Sequence, residues 1–179
     1  MIIAENLSQN HPFFGFSDSS WNDDVDNGRS IGCFIIMYMG GVVDHSSNLP
    51  DPVAMSSTKV EYNEGCIAFM AAQHLRMLLA ELEESEESIM APTNIYFDSN
   101  SAIAMGESYK DTKHTMHIMR RYHYVRERIA ANQFSMVWIQ TEFQLADIGT
   151  KNNAGPRHTV LVELIHVQIK NPSSQIQEG

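Results

Sequence analysis

The sequence predicts a mixed α/β fold, in which helices pack on a sheet in the order β-β-β-α-β-α-α-β-α. Short apolar runs that end in turn residues indicate the strands, whereas longer segments with apolar residues three or four positions apart indicate helices. The chain has 179 residues, 43% of them hydrophobic. This size and composition are typical of one globular domain with its own core.

The first three strands are predicted to form an antiparallel meander. An apolar run at Phe13–Asp18 ends in small polar residues, and a second run, Ile31–Met39, has the length of a strand. Gly40 and Gly41 then indicate a turn, after which an extended pattern resumes over Val42–His45.

A long helix is predicted next. Ser57 or Thr58 is a suitable N-cap. From Val60 onward, apolar residues recur at helical spacing, at Ile67, Ala71, Leu75, Leu78 and Leu82. Glu61 lies close to the start of this helix, so a place in a capping box is an alternative to a functional role.

The remaining segments alternate between strands and helices. They are a strand at Asn94–Asp98, a short helix through Ile103–Met105 capped by Ser99 or Asn100, a helix at His117–Asn132, a strand at Phe134–Ile139, a short helix or turn at Gln144–Thr150 and a helix or strand at Val160–Ile165. We expect an N-terminal extension at 1–12, the domain at 13–155, and a partly disordered C-terminal extension at 156–179.

The charge of the chain gives a mixed signal about its partners. A net charge of −10 argues against nucleic acid, because phosphate contacts need Lys and Arg. However, six of the 12 basic residues lie between Lys110 and Arg128, which gives an acidic molecule a basic stripe. A solvated helix face is the alternative interpretation of that stripe.

Several kinds of protein are disfavoured. Cys33 and Cys66 have no metal-ligand spacing and imply no disulfide framework. The chain has no apolar run of about 18 residues, and its first residues lack the pattern of a signal peptide. We therefore expect an intracellular protein that does not span a membrane.

Four acidic residues are the candidates for a functional site. Asp18 and Asp98 end predicted strands, and Glu61 and Asp147 lie at or near helix starts. If the fold brings them together, the carboxylates need a multivalent cation to remain ionised. Hard oxygen ligands in this number suit Mg²⁺ or Mn²⁺. Considered singly, each acid has an ordinary alternative as a turn former or helix cap.

Five phrases that surround these acids resemble a known family. They are FSDSSWNDD at 16–24, AMSSTKVEY at 54–62, IYFDSNSAI at 95–103, TMHIMRRYHYVRE at 115–127 and TEFQLADIGTK at 141–151. They are similar, in the same order, to YSDADWAGD, ALSSTEAEY, IYCDNQSAI, TKHIDIRYHFIRE and TEDQLADIFTK of the ribonuclease H domain of copia-type retrotransposon polyproteins. The resemblance covers the chain from about Phe14 to Lys151.

The resemblance implies a ribonuclease H-like fold, whose five-stranded sheet has three antiparallel strands followed by two parallel ones, flanked by helices. It also implies endonucleolytic hydrolysis of the RNA strand of RNA–DNA hybrids with two Mg²⁺ or Mn²⁺ ions. Asp18 would bridge the two ions, Asp98 and Glu61 would hold one, and Asp147 would help to hold the other.

Six further residues are expected to contact the substrate. Hydroxyl groups at Ser19, Ser57 and Ser99 would sense the 2′-hydroxyls of RNA. Arginines of the basic stripe would contact the phosphates of the DNA strand, namely Arg120, Arg121 and Arg128. Trp21 and Trp138 are expected to pack in the core or in semi-buried positions rather than to be platforms for bases.

The family also implies a context. Its domain normally follows a reverse transcriptase on one polyprotein, so the implied partner is that reverse transcriptase domain. The implied location is the cytoplasm, in the virus-like particle of the parent element, or the nucleus.

The chain departs from the family phrases at several positions. Ser99 stands where the family has Asn, and Phe143 replaces an acid. These changes remove no predicted metal ligand but alter polar groups near the expected substrate. An inactive retrotransposon-derived domain that at most binds nucleic acid is therefore the alternative hypothesis. A structural or interaction domain, favoured by the charge of −10, is a third.

Overall fold

The computed structural model describes residues 12–20, 30–49, 57–82, 91–107, 116–153 and 155–170. A five-stranded sheet in the order β3-β2-β1-β4-β5 organises them. The strands are β1 (Phe13–Ser20), β2 (Ile31–Tyr38), β3 (Gly41–Asn48), β4 (Thr93–Phe97) and β5 (Phe134–Trp138). The first three strands pair antiparallel, and β4 runs parallel to both β1 and β5. The predicted mixed sheet is confirmed.

Helices follow in the predicted order. They are α1 (Ser57–Glu81), α2 (Asn100–Glu107), α3 (Met116–Ala130), the one-turn α4 (Asp147–Thr150) and α5 (Gly155–Lys170), with a 3-10 turn at Thr141–Phe143. The last segment, for which the sequence left helix and strand open, is helical. Its Leu161 is fully buried beside the sheet. The domain limits at 13 and 155 stay predictions.

Both faces of the sheet are covered by apolar side chains, which explains why β2 is apolar without interruption. One buried cluster joins the sheet to α1 and α3, and includes Phe13, Phe34, Ile36, Phe69, Ile95, Phe97, Val125 and Phe134. The other lies on the opposite face and includes Phe14, Phe16, Ile35, Met37, Tyr96, Leu145 and Leu161. Neighbouring residues of β1 point to opposite faces, as the pleat requires.

The buried face of α1 differs from the predicted one. Leu78 and Leu82 are 44% and 65% exposed, and Ile67, Ala71 and Leu75 only flank the core. The residues that face the sheet are instead Val60, Tyr62, Glu64, Gly65, Cys66, Ala68, Phe69, Ala72 and Arg76. The buried face of α1 contains a glycine and two charged residues. A prediction that counts apolar residues therefore selects the neighbouring face of the helix, which is more apolar but less buried.

Two smaller predictions are also corrected. The hairpin turn is centred on Met39 and Gly40, whose φ angles of 49° and 81° suit a two-residue hairpin turn, rather than on Gly40 and Gly41. Trp138 is 49% exposed, because it is the last residue of an edge strand. Trp21 lies outside the described residues. Within the described part of the chain, the helices are all too short or too polar to cross a membrane.

Candidate metal centre

Three of the four predicted acids converge at one end of the sheet. Asp18 is near the end of β1, Asp98 directly follows β4, and Glu61 lies in the first turns of α1. Because β1 and β4 are adjacent parallel strands, their carboxyl ends lie side by side. Each of the three carboxylates has an oxygen within 4.8 Å of the others.

Burial gives this cluster unusual protonation behaviour. Asp18 is 2% exposed. Burial, with smaller contributions from Asp147 and Asp98, raises its pKa from 3.8 to about 6, against the opposing effects of Lys151 and Thr150. Burial also raises the pKa of Glu61 from 4.5 to about 7, helped by Asp18 and Asp98 and opposed by a hydrogen bond with Ser99. The fold thus holds together acids that repel one another.

Neighbouring polar groups hold the carboxylates in place. Thr141 Oγ1 donates a 3.1 Å hydrogen bond to Asp98 Oδ2, and Thr150 Oγ1 donates to Asp18 Oδ2. Ser99 caps α2 by accepting a 3.3 Å hydrogen bond from the backbone N–H of Ala102. One serine therefore connects the start of a helix to the carboxylate of Glu61.

The fourth predicted acid is placed differently. Asp147 is 2% exposed at the start of α4, and it lies outside the three-acid cluster. Lys151 Nζ is 2.6 Å from its Oδ1, and Arg157 Nη2 is 3.3 Å from its Oδ2. Lys151 Nζ also lies 3.7 Å from Asp18 Oδ2, so this ammonium connects Asp147 to the cluster.

Lys151 is correspondingly stabilised in its charged form. Burial opposes the charge on its ammonium, but Asp18 and Asp147 outweigh burial and raise the pKa of Lys151 above 10.5. Of the two basic partners of Asp147, Lys151 is the one that a second carboxylate also contacts.

The three-acid cluster fits one divalent cation. Mg²⁺ binds oxygen ligands at about 2.1 Å, so ligands on opposite sides of the ion are about 4 Å apart. Carboxylate oxygens within 4.8 Å of one another need to move only slightly to share an ion. The donor set contains only hard oxygen ligands, which suits Mg²⁺ and Mn²⁺ better than softer metals.

The predicted substrate-contacting serines lie around this centre in different ways. Ser19 is half-buried in β1, next to Asp18, and Ser57 is the exposed first residue of α1. Ser99 joins a group of hydroxyls, with Ser99 Oγ 3.0 Å from Ser101 Oγ and Thr58 Oγ1 3.3 Å from Ser101 Oγ. Their contacts with a substrate stay predictions.

Of the three arginines predicted to contact the substrate, the structure describes the side chain of Arg128. Arg128 is half-buried, donates a 3.0 Å hydrogen bond to Gln133 and lies 5.1 Å from the centre of the Tyr124 ring. It therefore helps to hold the end of α3. Arg120 and Arg121 belong to the same helix, but their side chains lie outside the described residues.

Sequence reasoning gave no role to several residues that shape the centre. Thr141, Gln144, Thr150 and Lys151 all belong to the phrase TEFQLADIGTK. The match of that phrase around Asp147 was the signal that could have identified them. Arg157 lies outside all five phrases and carried no such signal.

Solved structures with the same fold include two ribonucleases H. LC11-RNase H1 in complex with an RNA/DNA hybrid has a TM-score of 0.53 and 13% identity, with coverage of 77% of this chain and 93% of that one. RNase H1 from Halobacterium salinarum NRC-1 has a TM-score of 0.51 and 13% identity, with the same coverage. The fold is therefore that of ribonuclease H, as predicted.

The sequence is similar to polyproteins of plant transposons. The retrovirus-related Pol polyprotein from transposon TNT 1-94 of Nicotiana tabacum is 29% identical over 137 residues, which cover 76% of the chain. The corresponding polyprotein from transposon RE2 of Arabidopsis thaliana is 28% identical over 136 residues, again 76% of the chain. The chain spans only 10% and 9% of the lengths of these relatives. No protein-family model matches it. The predicted resemblance to retrotransposon polyproteins is confirmed.

Proposed function

We propose that this domain is a metal-dependent ribonuclease H, which hydrolyses the RNA strand of RNA–DNA hybrids during retrotransposon reverse transcription. One observation carries the proposal. Asp18, Glu61 and Asp98 come from positions up to 80 residues apart, and their carboxylate oxygens meet within 4.8 Å. Asp18 is buried, and Glu61 and Asp98 are half-buried beside it. Carboxylates that repel one another at such a place are typical of a functional site, for example one that binds a cation.

The roles of the residues follow from their positions. Asp18, Glu61 and Asp98 would hold Mg²⁺ or Mn²⁺, with Asp147 on the side of the predicted second ion. When bound, such an ion lowers the pKa of a coordinated water and stabilises charge on the phosphate oxygens. Thr141 and Ser99 keep the carboxylates of Asp98 and Glu61 in position for this.

The substrate preference is proposed from the surrounding hydroxyls. Thr58, Ser99 and Ser101 form a connected group near Glu61. Hydroxyls can both donate to and accept from the 2′-hydroxyl, which distinguishes RNA from DNA. A hybrid-binding solved relative of the fold, LC11-RNase H1, is consistent with this substrate. The polyprotein relatives support a reverse transcriptase domain as the partner.

The proposal is tested by incubating the protein with a hybrid labelled on its RNA strand. We expect cleavage in Mg²⁺ and none in excess EDTA, and the variant Asp18→Asn should lose most of the activity while it stays folded. Duplex DNA of the same sequence is the substrate control. Equal cleavage by wild type and Asp18→Asn contradicts the proposed roles.

The inactive alternative makes a different prediction for the same protein. It predicts salt-sensitive binding of the hybrid without Mg²⁺-dependent cleavage at any protein concentration. A structural domain predicts no hybrid binding even at low salt. The cleavage assay and a binding titration on one preparation therefore separate the three hypotheses.

A further inference from the structure

A positive charge lies inside the acidic centre. Lys151 Nζ is 2.6 Å from Asp147 Oδ1 and 3.7 Å from Asp18 Oδ2. Its ammonium therefore stands between the two carboxylates that the sequence analysis assigned to the second divalent ion. Thr150, the preceding residue, donates to the same oxygen of Asp18.

Asp147 is further neutralised from its other side. Arg157 Nη2 lies 3.3 Å from Asp147 Oδ2 and donates to the backbone carbonyl of Thr141 at 2.6 Å. Arg157 Nη1 donates to the carbonyl of Glu142 at 2.8 Å. Each oxygen of Asp147 thus has a basic partner, and the backbone contacts fix the position of the arginine.

The two basic residues differ in their freedom to move. The guanidinium of Arg157 donates to three acceptors, two of which are backbone carbonyls. The ammonium of Lys151 contacts the carboxylates of Asp18 and Asp147. The Lys151 side chain is 36% exposed, so it can rotate and place its ammonium in solvent. A cation that enters between Asp18 and Asp147 must displace this ammonium, because two such charges a few ångströms apart repel strongly.

We propose that Lys151 is an internal competitor for the second divalent cation. In the free protein its ammonium occupies the position between Asp18 and Asp147, and the three-acid cluster binds one divalent ion. A second ion binds only when Lys151 swings out. This inference rests on the proposed function, since it assumes that the cluster binds Mg²⁺ or Mn²⁺.

The inference is tested by counting bound Mn²⁺ in the absence of nucleic acid, from the free Mn²⁺ signal in electron paramagnetic resonance. We expect one strong site per chain in wild type. Lys151→Met should reveal a second site, with an affinity at least tenfold higher than any second site of wild type. Lys151→Arg keeps the charge and should keep the wild-type count. Asp147→Asn added to Lys151→Met should remove the new site.

Lys59→Met is the matched control, because it removes the same charge from α1, a helix that carries neither Asp18 nor Asp147. It should bind one Mn²⁺, as wild type does. If it also gains a second site, the effect is one of net charge and the proposal is wrong. Circular dichroism checks that each variant is folded.

The outcomes separate the two proposals. Two equally strong sites in wild type overturn the role of Lys151 but leave the metal-dependent function intact, and this result needs no variant to fold. An unchanged count in folded Lys151→Met also overturns the role. Absence of bound Mn²⁺ from wild type contradicts the metal site itself, and with it both proposals.

Discussion

The side-chain amide of Gln144 donates a 3.0 Å hydrogen bond to the backbone carbonyl of Ser17, the residue before Asp18. The same nitrogen lies 3.4 Å from the carbonyl of Tyr96, on the neighbouring strand. The register of β1 with β4 ends at Phe16 and Tyr96, so Gln144 connects the strands where their own pairing stops. One fully buried side chain thereby fixes the spacing of the strand ends that carry Asp18 and Asp98.

Replacement of Gln144 by leucine should therefore be costly. Gln144→Leu has a similar volume but leaves buried carbonyls without their donor, which costs about 1–3 kcal/mol of unfolding free energy. Urea denaturation measures the loss. Gln140→Leu, at an exposed position four residues earlier, should change the stability by less than about 0.5 kcal/mol. Equal effects of the two changes would contradict the role of Gln144.

The raised pKa values predict how stability depends on pH. The carboxyl groups of Asp18 and Glu61, with pKa values of about 6 and 7, bind protons more tightly in the folded than in the unfolded chain. Their contribution is full below about pH 4 and is lost as the pH rises through 6 and 7. For Asp18 the loss is on the order of 3 kcal/mol.

Urea denaturation of the metal-free protein at pH 5 and pH 8 tests this dependence. We expect wild type to lose more stability over this interval than Asp18→Asn, which has no charge to bury. At pH 8, added Mg²⁺ should increase the unfolding free energy of wild type, and it should increase that of Asp18→Asn by a smaller amount. Parallel pH profiles of the two proteins would contradict the raised pKa of Asp18.

Thr141 is predicted to act through Asp98. Its hydroxyl donates to Asp98 Oδ2 at 3.1 Å and is at the protein surface, so its loss should leave the fold stable. Loss of a hydrogen bond that orients a metal ligand typically costs about 10–100-fold in metal affinity or activity. Thr141→Val should lower Mn²⁺ affinity accordingly, and Thr141→Ser should retain most of it. Calorimetric titration of both variants checks this, and equal affinities would exclude the orienting role.

Replacement of Gly149 by a residue with a side chain is predicted to lower the stability of the protein, because neighbouring atoms lie too close. A Cβ atom at this position would lie 2.5 Å from Cys33 Sγ and 3.1 Å from Cys33 Cβ, with Cys33 itself buried. Gly149→Ala should therefore destabilise the protein by about 1–3 kcal/mol, and the cost should fall in a Cys33→Ala background. Gly155→Ala is the matched control, because its Cβ would meet no atom within 4 Å. Thermal unfolding of these variants measures the coupling, and equal costs in both backgrounds would refute it.

Much of the fold followed from local sequence signals. The short apolar runs at β1 and β2, which end in turn residues, and the long polar-apolar stretch of α3 are local signals, so the existence and order of these elements could be predicted. The buried face of α1 could not, because Glu64 and Arg76 lie in it and break the apolar pattern. The end of the chain was ambiguous for a similar reason, since α5 buries only part of a short apolar segment.

The convergence of three acids could be predicted from the sequence, but the contacts of the charged groups around them could not. The phrases around Asp18, Glu61 and Asp98 identified residues that the fold does bring together. The match of the phrase around Asp147 could have marked Lys151 as part of the site, but it did not show that the ammonium of Lys151 would contact both Asp147 and Asp18. Arg157, which reaches Asp147 from α5, lies outside the phrase. These contacts depend on the tertiary placement of α4 and α5, which no local pattern encodes.

The most direct test of the account is the position of a bound metal. Crystals of the protein grown or soaked with Mn²⁺ and measured near the manganese absorption edge should show an anomalous peak about 2.2 Å from oxygens of Asp18, Glu61 and Asp98. A peak at any other place, or none between these three carboxylates at a Mn²⁺ concentration that saturates the protein in solution, would contradict the account.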